Sequence, residues 1–156
     1  MIMYQRAKDL FVAAGEAERD ARVCARRLEA LGLPRGGSGI SVSRGPATDG
    51  SARLAAQIDE RDDLERRIAQ DAEVTDMARR VLYGEPEGTG GVAALLGREH
   101  ADCVKLHYID GLSYQKASVA LMLSRRTVVR RCDESLELVD ALGMARAIEG
   151  VGFAEG

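Results

Sequence analysis

Residues 111–131 read GLSYQKASVALMLSRRTVVRR. Ser113 and Ser124 each precede a run of helix-forming residues, where a serine oxygen can accept a bond from a free amide of the first turn. The stretch therefore predicts a helix opened by Ser113, a tight turn, and a second helix opened by Ser124. Charge is sorted along it as well. Residues 113–131 hold Lys116, Arg125, Arg126, Arg130 and Arg131 with no acidic residue, whereas 132–142 hold Asp133, Glu134, Glu137 and Asp140 with no Lys or Arg. A chain of formal net charge -3 has gathered cations onto one short element. Such a local basic surface suits a phosphate backbone.

The rest of the chain supports a helical reading. Aromatic residues make up 4% of the 156 residues, Trp is absent, and 30% are charged. Sandwiches and barrels lean on aromatic and β-branched runs, so this balance predicts an all-α fold. Cys24, Cys103 and Cys132 lie far apart with no CxxC pair, which implies neither a disulfide framework nor a zinc knuckle. Arg6, Lys8 and Asp9 interrupt the N-terminal apolar residues, so no signal peptide is expected there, and no apolar run is long enough for a membrane span. The expected location is cytoplasmic.

Met3, Ala7, Leu10, Ala14, Ala17, Ala21, Cys24, Leu28 and Leu31 alternate at spacings of four and three, a coiled-coil-like seam along one helix. Gly32 and Pro34 end it, and the Gly- and Ser-rich stretch 32–50 reads as a loop. A second helix is expected from Ser51 to Tyr83, with an apolar face of Leu54, Ile58, Leu64, Ile68, Ala72, Ala78 and Leu82 interrupted by Arg61 and Asp71. The simplest arrangement is a helical hairpin arm over 1–83, with homodimerisation through these helices as the alternative. Residues 84–91 read as a Gly-rich linker, 92–143 as the second domain, and 144–156 as a flexible tail.

From Leu96 to Gly143 the chain resembles region 4 of bacterial sigma factors. It resembles still more the C-terminal domain of phage late-transcription regulators of the ArpU/RinA type. The matching residues are Cys103-Val104-Lys105-Leu106-His107-Tyr108, then Ile109-Asp110-Gly111-Leu112-Ser113-Tyr114, and Leu123-Ser124-Arg125-Arg126-Thr127-Val128. The resemblance implies a C-terminal helix-turn-helix bundle in which Leu106 and Tyr108 are core, Gly111 makes a turn, and the helix from Ser124 to about Leu142 enters the major groove. It also implies a sequence-specific transcription regulator of phage or prophage origin, with double-stranded DNA as partner and RNA polymerase as a further one. Two departures stand out: Ala117-Ser118 replaces Ile-Ala, and Met122 takes the usual Gly of the tight turn. A non-Gly residue there costs roughly 1 kcal/mol in the left-handed conformation.

In such a motif the start of the second helix reads base edges while flanking residues hold phosphates. Positions 125, 126, 129 and 130 share one side of a helix beginning at Ser124, and Val128, Cys132 and Leu136 turn inward. Arg125, Arg126 and Arg130 are therefore expected to face guanines, and Val129 a thymine methyl. Gln115, Lys116 and Thr127 are the phosphate candidates. Arg131 sits at the boundary, with Glu134 or Asp110 as its ion-pair alternatives.

Competing readings are blander. A charge run is usually a solvated face, but here the caps, the turn and the charge sorting coincide. His100, Cys103, His107 and Cys132 have zinc-like chemistry, yet Cys103 holds a core position of the resemblance, so no metal is expected. The Gly-rich stretches lack a phosphate-loop setting, and the carboxylates are scattered over solvent-facing helices, so neither an enzyme nor a cofactor is expected. Two other functions remain: a helical adaptor binding polymerase or a sigma factor without DNA contact, and the DNA-recognition subunit of a phage packaging terminase.

Overall fold

Helix-forming residues dominate the computed structural model, which describes residues 4–32 and 47–150. Helices α1 (Ala7–Ala30), α2 (Ala47–Tyr83), α3 (Gly91–Leu95), α4 (Arg98–Val104), α5 (Tyr114–Leu121), α6 (Arg125–Leu142) and α7 (Met144–Glu149) follow one another with no strand among the described residues. The fold is all-α. No helix among the described residues is long and apolar enough to cross a membrane.

The chain divides into two compact units: Met1–Glu18 together with Glu73–Gly156, and Arg19–Ala72. This corrects the expected boundary at 84–91. The first three turns of α1 carry Ala7, Leu10, Phe11 and Ala14, all fully buried, and they share one core with Leu82, Ile109, Val128 and Val139. Phe11 lies 6.5 Å from Tyr108, ring centre to ring centre. Asp140 on α6 accepts a 2.7 Å bond from the Ala7 amide, so a carboxylate of the last long helix caps the first one. The half of the seam at Ala7–Ala14 is thus absorbed into the C-terminal bundle.

The expected linker is a close-packed turn. A methyl group on Gly84 would meet the Gly90 nitrogen at 2.2 Å, and one on Gly91 (φ 76°) would meet the Leu82 carbonyl carbon at 2.5 Å. Here glycine permits backbone-to-backbone approach, which composition does not distinguish from flexibility. The tail expectation is corrected in part too. Gly143 (φ 91°) stops α6 where expected, but residues 144–149 form α7, which buries Ala147. Tyr83 donates a 2.6 Å bond to Asp102, fastening the end of α2 to α4.

In the second unit α1 and α2 run antiparallel, as the pairs Arg27–Glu60 (2.6 Å) and Arg67–Asp20 require. Cys24 and Leu64 are buried there, and Ala21, Leu28, Leu31 and Ile68 half-buried. Leu54 and Ile58 are instead exposed, at 54% and 48%. The register of the ion pairs places Ile58 opposite the last turn of α1. Ala72 is also exposed, and Thr75 and Val81 are buried in addition to the expected face. The helix begins at Ala47 rather than Ser51. Met3, most of the 32–50 loop and residues 151–156 lie outside the described residues.

Asp71 shows how the second unit resolves a carboxylate on its expected apolar face. Desolvation, and then hydrogen bonding to Asp20 and its charge, raise its pKa to about 6. Asp20 is lowered by the hydrogen bonds from Asp71 and Arg67. A raised carboxyl pKa stabilises the fold at low pH, where the group is protonated in both states, and that contribution is lost as pH rises through about 6. Asp71→Asn is expected to melt higher than the native chain above pH 7, with the gap closing below pH 4, the region of the ordinary carboxylate pKa. Parallel melting curves at all pH values would contradict it. The shared core gives a second prediction. A fragment spanning 88–143 lacks Phe11 and Leu82 and should show no cooperative unfolding by circular dichroism. Phe11→Ala in the full chain should cost about 3–5 kcal/mol.

Candidate nucleic-acid interface

The basic segment is positioned by two corners of backbone. At the first, α4 runs into a π-helical turn, Lys105–Ile109, from which the Leu112 amide reaches back to the Leu106 carbonyl at 2.9 Å. His107 donates through Nδ1 to the Leu112 carbonyl at 2.8 Å and stacks on Tyr114 with ring centres 3.7 Å apart. That ring pair holds the start of α5 against the end of the π turn. Leu106 and Tyr108 are half-buried and pack on the core. Ser113 then accepts the Lys116 amide at 3.1 Å, opening α5 as its sequence predicts.

The second corner is the tight turn. Met122 adopts φ 59°, ψ 42°, the left-handed conformation expected at this position, and the Leu123 amide closes the turn on the Ser118 carbonyl at 3.0 Å. Ser124 accepts the Thr127 amide at 3.1 Å and donates to the Thr127 hydroxyl at 2.8 Å. Beneath the motif Ala117, Ser118, Val128 and Cys132 are buried. Ser118 satisfies its hydroxyl by donating to the Gln115 carbonyl at 2.7 Å, so a polar residue in this position leaves no orphaned group. Two serine-capped helices thus meet across a left-handed turn.

Around that frame Gln115, Lys116, Ser124, Arg125, Arg126 and Arg130 are exposed, while Thr127, Val129 and Arg131 are half-buried. Lys116, Arg125 and Arg126 make no ion pair among the described residues. Arg130 stands 4.0 Å from Glu134 with its side chain 59% exposed, a contact too open to hold it. Arg131 departs from expectation. It pairs with Glu99 on α4, and neither Glu134 nor Asp110 takes it, because α6 packs along α4 and turns position 131 toward that helix. Glu134 instead bonds His100 at 2.8 Å, and Asp110 pairs with Lys105 at 3.0 Å. Sequence spacing could not identify Glu99, which lies 32 residues from Arg131.

The zinc-like residues are engaged elsewhere, His100 by Glu134 and His107 by Leu112 and Tyr114. Burial raises the Cys103 thiol and pushes the Cys132 thiol up to about 12, which favours protonated, packing thiols over metal-binding thiolates. No group of three or more potential metal ligands occurs among the described residues. Two exposed apolar residues, Val119 and Met122, also border the basic face and were not anticipated as part of it. No protein-family model, curated protein or solved structure matches the chain.

Structural and free cations should separate in stability measurements. Arg131→Ala removes an ion pair and a packed aliphatic stem and is expected to cost about 1–3 kcal/mol. Ser124→Ala should cost about 1 kcal/mol through its lost cap. Arg125→Ala and Arg126→Ala should stay within about 0.5 kcal/mol of the native chain. Urea titrations of the four variants test this ordering, and an equal loss in all four would refute the division.

Proposed function

We propose that this protein is a sequence-specific DNA-binding regulator of phage or prophage transcription, with the first turns of α6 in the major groove. The observation that supports the reading most directly is the exposed set Lys116, Arg125 and Arg126. These cations are free of ion pairs among the described residues and sit at the start of two serine-capped helices. Arg125, Arg126 and Arg130 supply guanidinium forks for the O6 and N7 acceptors of guanine. Gln115 and Lys116, near the N-terminus of α5, supply phosphate contacts, to which the positive end of a helix dipole adds. Thr127 belongs to the cap, with its hydroxyl already bonded to Ser124. Arg131 serves the packing of α6 on α4 and is withdrawn from the contact set.

The adaptor reading places the same cations against an acidic protein surface. It predicts no DNA binding at low or moderate salt. Gel-shift titration against random genomic fragments, with the bound pool sequenced, separates the two. Arg125→Ala or Arg126→Ala should cost about 1–3 kcal/mol of binding and relax preference at a defined base pair. Lys116→Ala should weaken binding to all sequences alike and lower the salt slope by about one unit. An equal loss for every sequence from all three variants would reduce the face to a basic sticking patch.

A further inference from the structure

The α5–α6 turn carries an apolar pair where a solvated basic face would be expected. Met122 is 92% exposed and Val119 69% exposed. They lie three residues apart, Val119 in the last turn of α5 and Met122 at its left-handed C-cap. Met122 holds φ 59° in this exposed position, where a glycine would adopt the left-handed conformation without steric penalty. No core burial compensates for the strain or for the solvated thioether. An exposed apolar side chain on strained backbone is the kind of outlier from which a contact is properly inferred.

The surroundings narrow what that contact is. Lys116 precedes Val119 by three residues, and Arg125 and Arg126 follow Met122 by three and four, all exposed and without ion pairs among the described residues. Residues 113–131 contain no acidic side chain. An apolar pair rimmed by free cations complements a partner that alternates anionic and apolar groups. In the major groove that alternation is phosphate and the thymine C5-methyl, the one apolar group on the base edges there. Met122 stands two residues before Ser124, so it leads directly into the helix assigned to that groove.

We propose that Met122, supported by Val119, is a specificity-determining residue that packs on a thymine methyl at the border of the DNA site. The inference rests on the DNA-binding reading and adds to it a base preference that the arginines do not supply. An acidic helical peptide is the rival occupant.

The test uses the full chain and a duplex recovered by wild-type selection from a random-sequence pool. Met122→Gly relieves the left-handed strain and removes the side chain, so the melting temperature should hold or rise while affinity falls. The expected loss is about fourfold, the factor for one buried methylene-sized group. The salt slope should not change, because no charge is removed. Val119→Thr should weaken binding by a smaller factor in the same way. Replacing single thymines with deoxyuridine deletes only the methyl. One such position should reproduce the loss in the wild type and add nothing to Met122→Gly. If the duplex binds, Arg125→Ala weakens it, and both Met122→Gly and every deoxyuridine substitution are silent, the DNA reading stands and this inference falls. If the full chain binds no duplex but binds a helical acidic peptide in a Met122-dependent way, both are overturned.

Discussion

Burial of the first three turns of α1 inside the C-terminal bundle is the constraint on which the motif depends. The stretch from the α4 start to the end of α6 is short, and a unit of that size buries too little apolar surface to hold two helices at a defined angle. Leu10 and Phe11 supply large apolar side chains to it, while Ala7 and Ala14 let the α1 backbone come close. Asp140 closes the arrangement by capping α1 from α6. Helix α6 is therefore braced by the start of the chain, and damage at Phe11 should be felt at Val128 and Cys132 beneath the basic face.

Electrostatics divides the cations into two populations by the same packing. Arg131 and Lys105 have acidic partners within the bundle, Glu99 and Asp110. Lys116, Arg125 and Arg126 point to solvent from the outer side of the motif, where no carboxylate of residues 113–131 exists to meet them. Holding like charges together costs a little folding energy, and it leaves them available to an anionic partner without prior ion-pair breakage. The helical frame, with its two serine caps and left-handed turn, holds the bases of those side chains in fixed positions while their ends stay free.

The glycines illustrate how one residue type serves opposite purposes. Gly143 ends a helix, as its place after a periodic run suggests. Gly84, Gly90 and Gly91 resemble a flexible linker in composition, yet each lies where any Cβ would strike backbone within 2.5 Å. Local sequence cannot tell these apart, because the atom that forbids a side chain comes from elsewhere in the fold. Leu54 and Ile58 make the same point for apolar residues. Their spacing is that of a buried face, yet both are exposed.

What the sequence by itself determined is local: the helical class, the Ser113 and Ser124 caps, the stop at Gly143, and the basic grouping from Lys116 to Arg130. Each depends on bonds or clashes within a few residues, so the residue type is sufficient to specify it. The tertiary structure alone decided that Phe11 belongs to the C-terminal core, that Asp140 caps α1, that Arg131 turns to Glu99, and that Met122 and Val119 stand exposed beside free cations. The capping of α1 and the pairing of Arg131 depend on partners 133 and 32 residues away. Periodicity records which side of a helix is apolar, but only the packed chain selects what meets it.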